Sequence, residues 1–162
     1  NAPMYTIGGL AVGEPKEEML KIVNYLDTIV AKDKLRYLMG VGTPADIIQC
    51  ISMGVDMFDC VLPTRNARNG QLFTYNGKVN ILNSKYSHDL SVIDAKNNFP
   101  ISQNYSKAYL HHLFKTKEIL GYRLATQHNL AFYNNLIKDV IKTISNGTFE
   151  KWSKAFLKNY ND

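Results

Sequence analysis

The sequence predicts an α/β protein built on a parallel sheet, and three observations carry that prediction. Strand-like apolar runs alternate three times with helical stretches between Tyr5 and Leu62. Each run ends in a turn rich in glycine, proline or asparagine. At 162 residues the chain is long enough for one hydrophobic core. Strict alternation requires crossover connections, which produce parallel strands with functional groups at their C-terminal ends.

The first run, Tyr5 to Leu10, leads through Ala11 to Pro15 into a helix from about Lys16 to Val30, where Met19, Leu20, Val23, Leu26 and Val30 recur at helical spacing. The second, Arg36 to Val41, leads through Gly42 into a helix with Thr43 as N-cap, Pro44 at the first position and Asp46 at the third, a capping box with Asp in place of Glu. The third, Met57 to Leu62, reads as a short buried strand that Pro63, Asn66, Asn69 and Gly70 end in a loop. The pattern then changes. Gln71 to Tyr75 and Lys78 to Ile81 flank Asn76-Gly77, a strong hairpin signal. Residues 84–103 are polar and weakly patterned, which predicts loop. Two helices follow, one from about Ser106 to Leu120 ended by Gly121, the other from about Leu130 to Ser145 ended by Gly147. In the second, Leu130, Tyr133, Ile137, Val140, Ile141 and Ile144 form an apolar face, and Phe149, Trp152, Phe156 and Tyr160 make a terminal aromatic stripe suited to packing.

The most informative stretch runs from Gly54 to Gly70. It places Asp59 at the end of the third strand and Arg65 and Arg68 just beyond. By itself an aspartate there reads either as an ion-paired structural residue or as a catalytic group. Its wording resembles the nucleophile loop of the bacterial tRNA-guanine transglycosylases, the queuine tRNA-ribosyltransferase family. Four further blocks resemble that family in order and spacing: Ile7 to Glu14, Tyr37 to Pro44, Asn104 to Phe114 and His128 to Tyr133. Five ungapped blocks over nearly the whole chain are far more specific than a lone Gly-rich turn.

The resemblance implies the C-terminal part of a (β/α)8 TIM-type barrel, with an appended hairpin and helical subdomain at the position of the family's zinc lobe. Residues 1–82 would supply the last three strand-helix units with the nucleophile loop and hairpin, 83–127 the inserted subdomain, and 128–162 the final barrel helix and tail. A complete barrel of this kind takes about 250 residues. The chain opens on Asn1 and enters a strand almost at once, which reads as an excerpt.

The implied activity is exchange of guanine at the tRNA wobble position for a 7-deazaguanine base. Breaking an N-glycosidic bond passes through an oxocarbenium-like transition state, which a carboxylate beneath the anomeric carbon stabilises or attacks. By resemblance Asp59 is that nucleophile. Asp56, three residues earlier, points to the opposite strand face and reads as structural, with a backbone or arginine partner. The acid/base aspartate of the family belongs to an N-terminal part that this sequence lacks, so the 162 residues alone are expected to be inactive. Gly9, Leu10 and Met39 are the implied base-binding residues. Gly8 to Leu10 reads equally as a strand end where a Cβ would clash, and Met39 as core. Gly40, Val41, Gly42, Thr43, Pro44, Ala45 and Asp46 match the family's first RNA contact segment, where a helix N-terminus offers N–H groups to phosphate. Thr64, Arg65, Asn66, Ala67 and Arg68 match the second, in which planar guanidinium groups would read bases beside a flipped nucleotide. An arginine pairing with Asp59 itself is the structural alternative.

The clearest departure lies at the family's metal site. Bacterial members usually carry cysteines spaced C-x-C-x-x-C before the Asn-Tyr-Ser block and a histidine some 26 residues after the last. The matching positions here are Asn97, Phe99 and Ser102, with only His128 retained. One imidazole cannot hold structural zinc, which takes four ligands. No cofactor is therefore expected, and Phe99, Pro100 and Ile101 read as apolar substitutes. His111 and His112 read as surface or packing residues.

Formal net charge is +5 but unevenly spread: residues 1–64 carry five Lys/Arg against eight Asp/Glu, net −3, and residues 65–162 fourteen against six, net +8. That distribution suits a polyanion across the mouth of a site, or a solvated basic face. The tRNA anticodon loop and a homodimer partner are the implied associations. No run of about 18 apolar residues and no leader pattern occurs, so a cytoplasmic protein is expected. Cys50 and Cys60 read as reduced packing thiols. A noncatalytic tRNA-binding or partner subunit related to the enzyme is the competing reading, and the intact Asp59 loop counts against it.

Overall fold

The computed structural model describes residues 3–160, whose contacts group into two compact units. No described helix is long and apolar enough to cross a membrane.

The first unit comprises residues 1–61 and 150–157. Its sheet is parallel in the order β1 (Met4–Ile7), β2 (Leu35–Leu38), β3 (Met57–Phe58), with Ile7 opposite Leu38 and Leu38 opposite Phe58. Helices α1 (Lys16–Ile29) and α2 (Pro44–Ser52) connect the strands as expected. Thr43 caps α2, its Oγ1 accepting from the Asp46 N–H at 3.2 Å and donating to the Asp46 carboxylate at 2.6 Å. Side chains alternate across a strand, so Ile7, Leu38 and Phe58 share one face, where Met19, Val23, Val41, Cys50 and Val55 complete a core. Thr6, Tyr37 and Met57 share the other, and Met57 is exposed. The third strand is two residues rather than six, and the expected burial of Val61 fails, since it too is exposed. In sequence an apolar run looks the same whether or not its second face is covered. Asp56 has the expected backbone partner: its Oδ2 accepts from Arg36 N–H at 2.8 Å.

Unit two comprises residues 62–149 and 158–162. Pro63 to Gly70 was expected to be loop, yet Leu62–Arg68 is a helix, α3. Pro63 sits in its first turn, where a missing N–H costs nothing. The hairpin pairs β4 (Gln71–Thr74) with β5 (Gly77–Asn80). Its two turn residues are Tyr75 and Asn76, and Gly77 takes the positive φ of 107° after them, one residue out of the register expected. Residues 84–103 are largely irregular, with a 3-10 turn at Ser84–Tyr86 and the start of α4 (Pro100–Asn104).

The helix expected to end at Gly121 instead ends early, as α5 (Lys107–Lys115), with Ser106 as N-cap. Its stop is a Schellman turn in which Lys117, at φ 57°, occupies the left-handed position usual for glycine, with Lys117 N–H to Phe114 C=O at 3.2 Å and Glu118 N–H to Leu113 C=O at 2.9 Å. Gly121 lies inside the 27-residue α6 (Ile119–Ser145), which begins well before the expected Leu130. A Cβ there would meet Leu113 Cβ at 3.0 Å, so glycine permits close approach of α5 and α6 rather than terminating a helix. The buried stripe of α6 is Leu124, Ala125, His128, Asn129, Phe132, Leu136 and Val140. Leu130, Ile141 and Ile144, assigned to the apolar face, are exposed. The second core joins Ala67, Leu72, Ile81, Ile93, Leu110, Leu113, Phe114, Leu124 and Ala125. Helix α7 (Phe149–Asn159) closes the chain, with Trp152 and Phe156 stacked at 5.4 Å.

Two side chains of α6 hold the hairpin. Phe73 points its N–H and C=O away from β5, and an unpaired buried edge is costly. Asn129 Oδ1 accepts from Phe73 N–H at 3.0 Å, and its amide donates to the carbonyls of Pro63 and Gln71 at 2.9 and 3.0 Å. His128 Nε2 donates to the Phe73 carbonyl at 2.9 Å.

Candidate active site

The C-terminal ends of the three parallel strands bring together what the sequence separates. Met39 N–H donates to the Ile7 carbonyl at 3.0 Å, which carries the ladder to the strand ends. Beyond it, the Met39 thioether lies against Gly8, where a Cβ would be 3.6 Å from Sδ. Met39 and Gly9 are exposed rather than core, and Leu10 is half-buried. The turn after β2 places Gly40 at φ 73°, aiming its N–H across the strand ends.

Asp59 follows β3 and is exposed. Its Oδ1 accepts from the Tyr37 hydroxyl at 2.7 Å and from Gly40 N–H at 3.0 Å. Tyr37 and Met57 share a sheet face, and Asp59, two residues on, returns to it. The tyrosine hydrogen bond first, then the Gly40 bond, holds the Asp59 carboxyl below the ordinary carboxylate range. The same bond pushes the Tyr37 phenol above its ordinary value. The Asp59 backbone N–H adds to the lowering of the Asp59 carboxyl, and the side chain as a whole is exposed. An exposed carboxylate with one oxygen anchored is an oriented anion, suited to meeting developing positive charge or attacking an electrophilic carbon. Sequence reasoning missed Tyr37 as an Asp59 partner, because only strand register joins residues 22 apart.

Close packing supports this turn. A Cβ on Gly42 would overlap both Sγ and Cβ of Cys60, the residue after Asp59. Of the segment expected to meet RNA, Gly40 is exposed and Thr43 and Asp46 are half-buried. Val41, Gly42, Pro44 and Ala45 are buried and shape the turn. Asp46 also pairs with Lys16 at 2.7 Å, so a carboxylate already sits at the N-terminus of α2. Cys50 is buried, and desolvation pushes its thiol up to about 12, consistent with inert packing. A cleft of about 450 Å³ lies at the opposite strand ends, where Asp27, Asp33, Lys32, Lys34 and Arg36 pair among themselves.

In the second unit, Thr64 to Arg68 lie on α3 rather than a loop. Arg65 and Arg68 are exposed, and a three-residue spacing puts them on neighbouring positions of the helix surface. Ala67 is buried, Thr64 is half-buried, and Asn66 donates to Gln71 at 2.6 Å. Arg68 shares a shallow hollow of about 250 Å³ with Tyr122, Arg123 and Gln127 of α6. Nothing in the sequence pointed to Arg123, since only the packing of α3 on α6 brings it there.

The four positions matching the family's metal ligands do not form a ligand set. Phe99 has no donor atom, Asn97 Oδ1 is taken by Phe99 N–H and by Asn135 Nδ2 at 3.2 and 2.9 Å, and Ser102 Oγ lies 2.8 Å from His128 Nδ1. The described residues hold no group of three or more His, Cys, Asp or Glu side chains able to hold a metal. The expected apolar replacement is instead mainly polar: Pro100 is exposed, only Ile101 packs against the core, and Asn97, Ser102 and His128 are fully buried. His111 packs inside, donating from Nδ1 to the Ile81 carbonyl at 2.7 Å, and His112 is exposed.

Residues 1–162 match the family model described as Queuine tRNA-ribosyltransferase. The chain is 53% identical over 156 residues to the queuine tRNA-ribosyltransferases of Francisella tularensis subsp. novicida (strain U112) and subsp. mediasiatica (strain FSC147), an alignment that covers 96% of this chain and 42% of each relative. The chain thus spans well under half the length of these curated relatives.

Proposed function

Since the chain belongs to the queuine tRNA-ribosyltransferase family, we propose that it is the nucleophile-bearing C-terminal part of a tRNA-guanine transglycosylase, contributing the last three strands of a (β/α)8 barrel and the lobe that follows them. The observation that carries the reading is Asp59 at a parallel strand's C-terminal end, exposed and with Oδ1 anchored by Tyr37 and Gly40.

The substrate is the anticodon loop of tRNA, and the reaction is a double displacement at C1′ of the wobble nucleotide. Asp59 Oδ2 attacks C1′, the N-glycosidic pair leaves with guanine, and an acid elsewhere in the complete protein protonates the departing base. A 7-deazaguanine then gives up its proton to that group, attacks C1′ and expels the carboxylate, so configuration is retained. Gly9, Leu10 and Met39 border the base, with the backbone close because no Cβ intervenes at Gly8 and Gly9. Arg65 and Arg68 neutralise phosphates or stack beside the extruded nucleotide, and a twofold partner completes the assembly.

The test is exchange of labelled guanine into tRNA by the complete protein carrying Asp59→Asn. Loss of exchange with tRNA binding retained is expected. Turnover near wild type would overturn the assignment of Asp59 as nucleophile, whereas tRNA binding without exchange by the complete wild-type protein would favour a tRNA-binding subunit that does no chemistry.

A further inference from the structure

We propose that the lobe of the second unit is closed without metal, by a buried relay in which the Phe73 carbonyl, His128 and Ser102 occupy the place where the family's pattern puts a cysteine-histidine zinc site. The inference rests on the family assignment but not on the catalytic reading.

His128 is fully buried, and both ring nitrogens are committed. A carbonyl only accepts, so the 2.9 Å contact with Phe73 fixes the proton on Nε2. Nδ1 then has a lone pair, and the Ser102 hydroxyl donates to it at 2.8 Å. Burial favours the neutral imidazole that this pattern requires. A metal would need that same lone pair and would have to displace the hydroxyl. Ring nitrogens that bind metal commonly have their partner N–H held by a backbone carbonyl, which is the role Phe73 still plays. The donor at Ser102 therefore stands in for the cation.

The surrounding atoms agree. Asn97 presents a neutral carboxamide whose oxygen is occupied, and its buried Nδ2, without a partner among the described residues, is a donor that repels a cation. Gln103 ties the same loop by donating to the carbonyls of Ala95 and Asn97 at 3.0 and 2.9 Å. The relay thus joins β4, α4 and α6 through a backbone carbonyl and two side chains, as a metal would, but by directional neutral hydrogen bonds.

The experiment uses the complete protein. The wild type is expected to hold far less than one zinc per chain by elemental analysis, to keep its Tm in chelator, and to show His128 as the Nε2–H tautomer by 15N NMR. Stoichiometric zinc lost to chelator with a fall in Tm, or a metal-shifted Nδ1 resonance, overturns the proposal. Ser102→Ala is expected to lower Tm and Ser102→Thr to restore most of it; equal Tm for Ala and wild type overturns the relay. The triple variant Asn97→Cys, Phe99→Cys, Ser102→Cys is expected to bind about one Co2+ per chain with the visible bands of tetrahedral thiolate coordination and to become chelator-sensitive. A folded triple variant that binds none shows that these positions do not converge as argued. If that variant fails to fold, the wild-type NMR and the Ser102 pair decide alone.

Discussion

Replacing Gly42 by alanine tests whether close packing, rather than loop flexibility, sets the geometry at Asp59. The added methyl would overlap Sγ and Cβ of Cys60, so one of the two turns must move. Cys60 adjoins Asp59, and Gly42 lies two residues after the N–H that holds Asp59 Oδ1. Overpacking of this kind costs about 1–3 kcal/mol. A displacement near 1 Å at a reacting group lowers rate on the order of 100-fold. Both losses are therefore expected in the complete protein: a lower midpoint in urea with unchanged slope, and guanine exchange reduced about 100-fold mainly in kcat. Relief has a specific form. Cys60→Ala removes Sγ but leaves the Cβ contact, so it should rescue Gly42→Ala poorly, while Cys60→Gly should rescue it well. Full stability and activity in Gly42→Ala, or equal rescue by both partners, would refute the packing argument.

Tyr37→Phe removes the largest cause holding the Asp59 carboxyl low, so its pKa should rise toward the ordinary range. Because the reactive form is the carboxylate, activity is present above that pKa and lost as pH falls through it; the acid limb of the kcat/KM profile should move to higher pH, and an unmoved limb would contradict the hydrogen bond's role. Arg65→Ala, Arg68→Ala and Arg123→Ala should each weaken tRNA binding and lower the salt slope by about 0.7 for every phosphate left without its guanidinium; a slope unchanged in all three would place the RNA elsewhere. Asn129→Ala strands one buried N–H and two carbonyls, each costing about 1–3 kcal/mol, so a loss of about 2–5 kcal/mol in chemical denaturation is expected after partial relaxation. A cost under about 1 kcal/mol would mean water replaces the amide there.

Local signals in this chain proved readable. Thr43-Pro44 and the stop at Gly147 depend on groups within a turn of one another, and both stand where the sequence puts them. The placement of Asp59 beyond a parallel strand followed from the alternation of strand and helix. Where a residue type has two local meanings, sequence misled: Gly121 resembled a helix stop but serves close helix approach, while Lys117 performs the stop with a side chain that does not advertise it. The apolar stripe of α6 was legible only in part: Val140 is buried and Tyr133 packs on Phe73, but Leu130, Ile141 and Ile144 are exposed, and the buried side includes His128 and Asn129, polar residues whose hydrogen bonds exist only once β4 is alongside. The anchoring of Asp59 by Tyr37, the meeting of Arg68 with Arg123 and the approach of Ser102 to His128 join residues far apart in the chain. Residue types and local spacing determined the elements and the chemistry on offer; strand register and helix packing decided which of those groups meet, because neither is encoded within any single turn of the backbone.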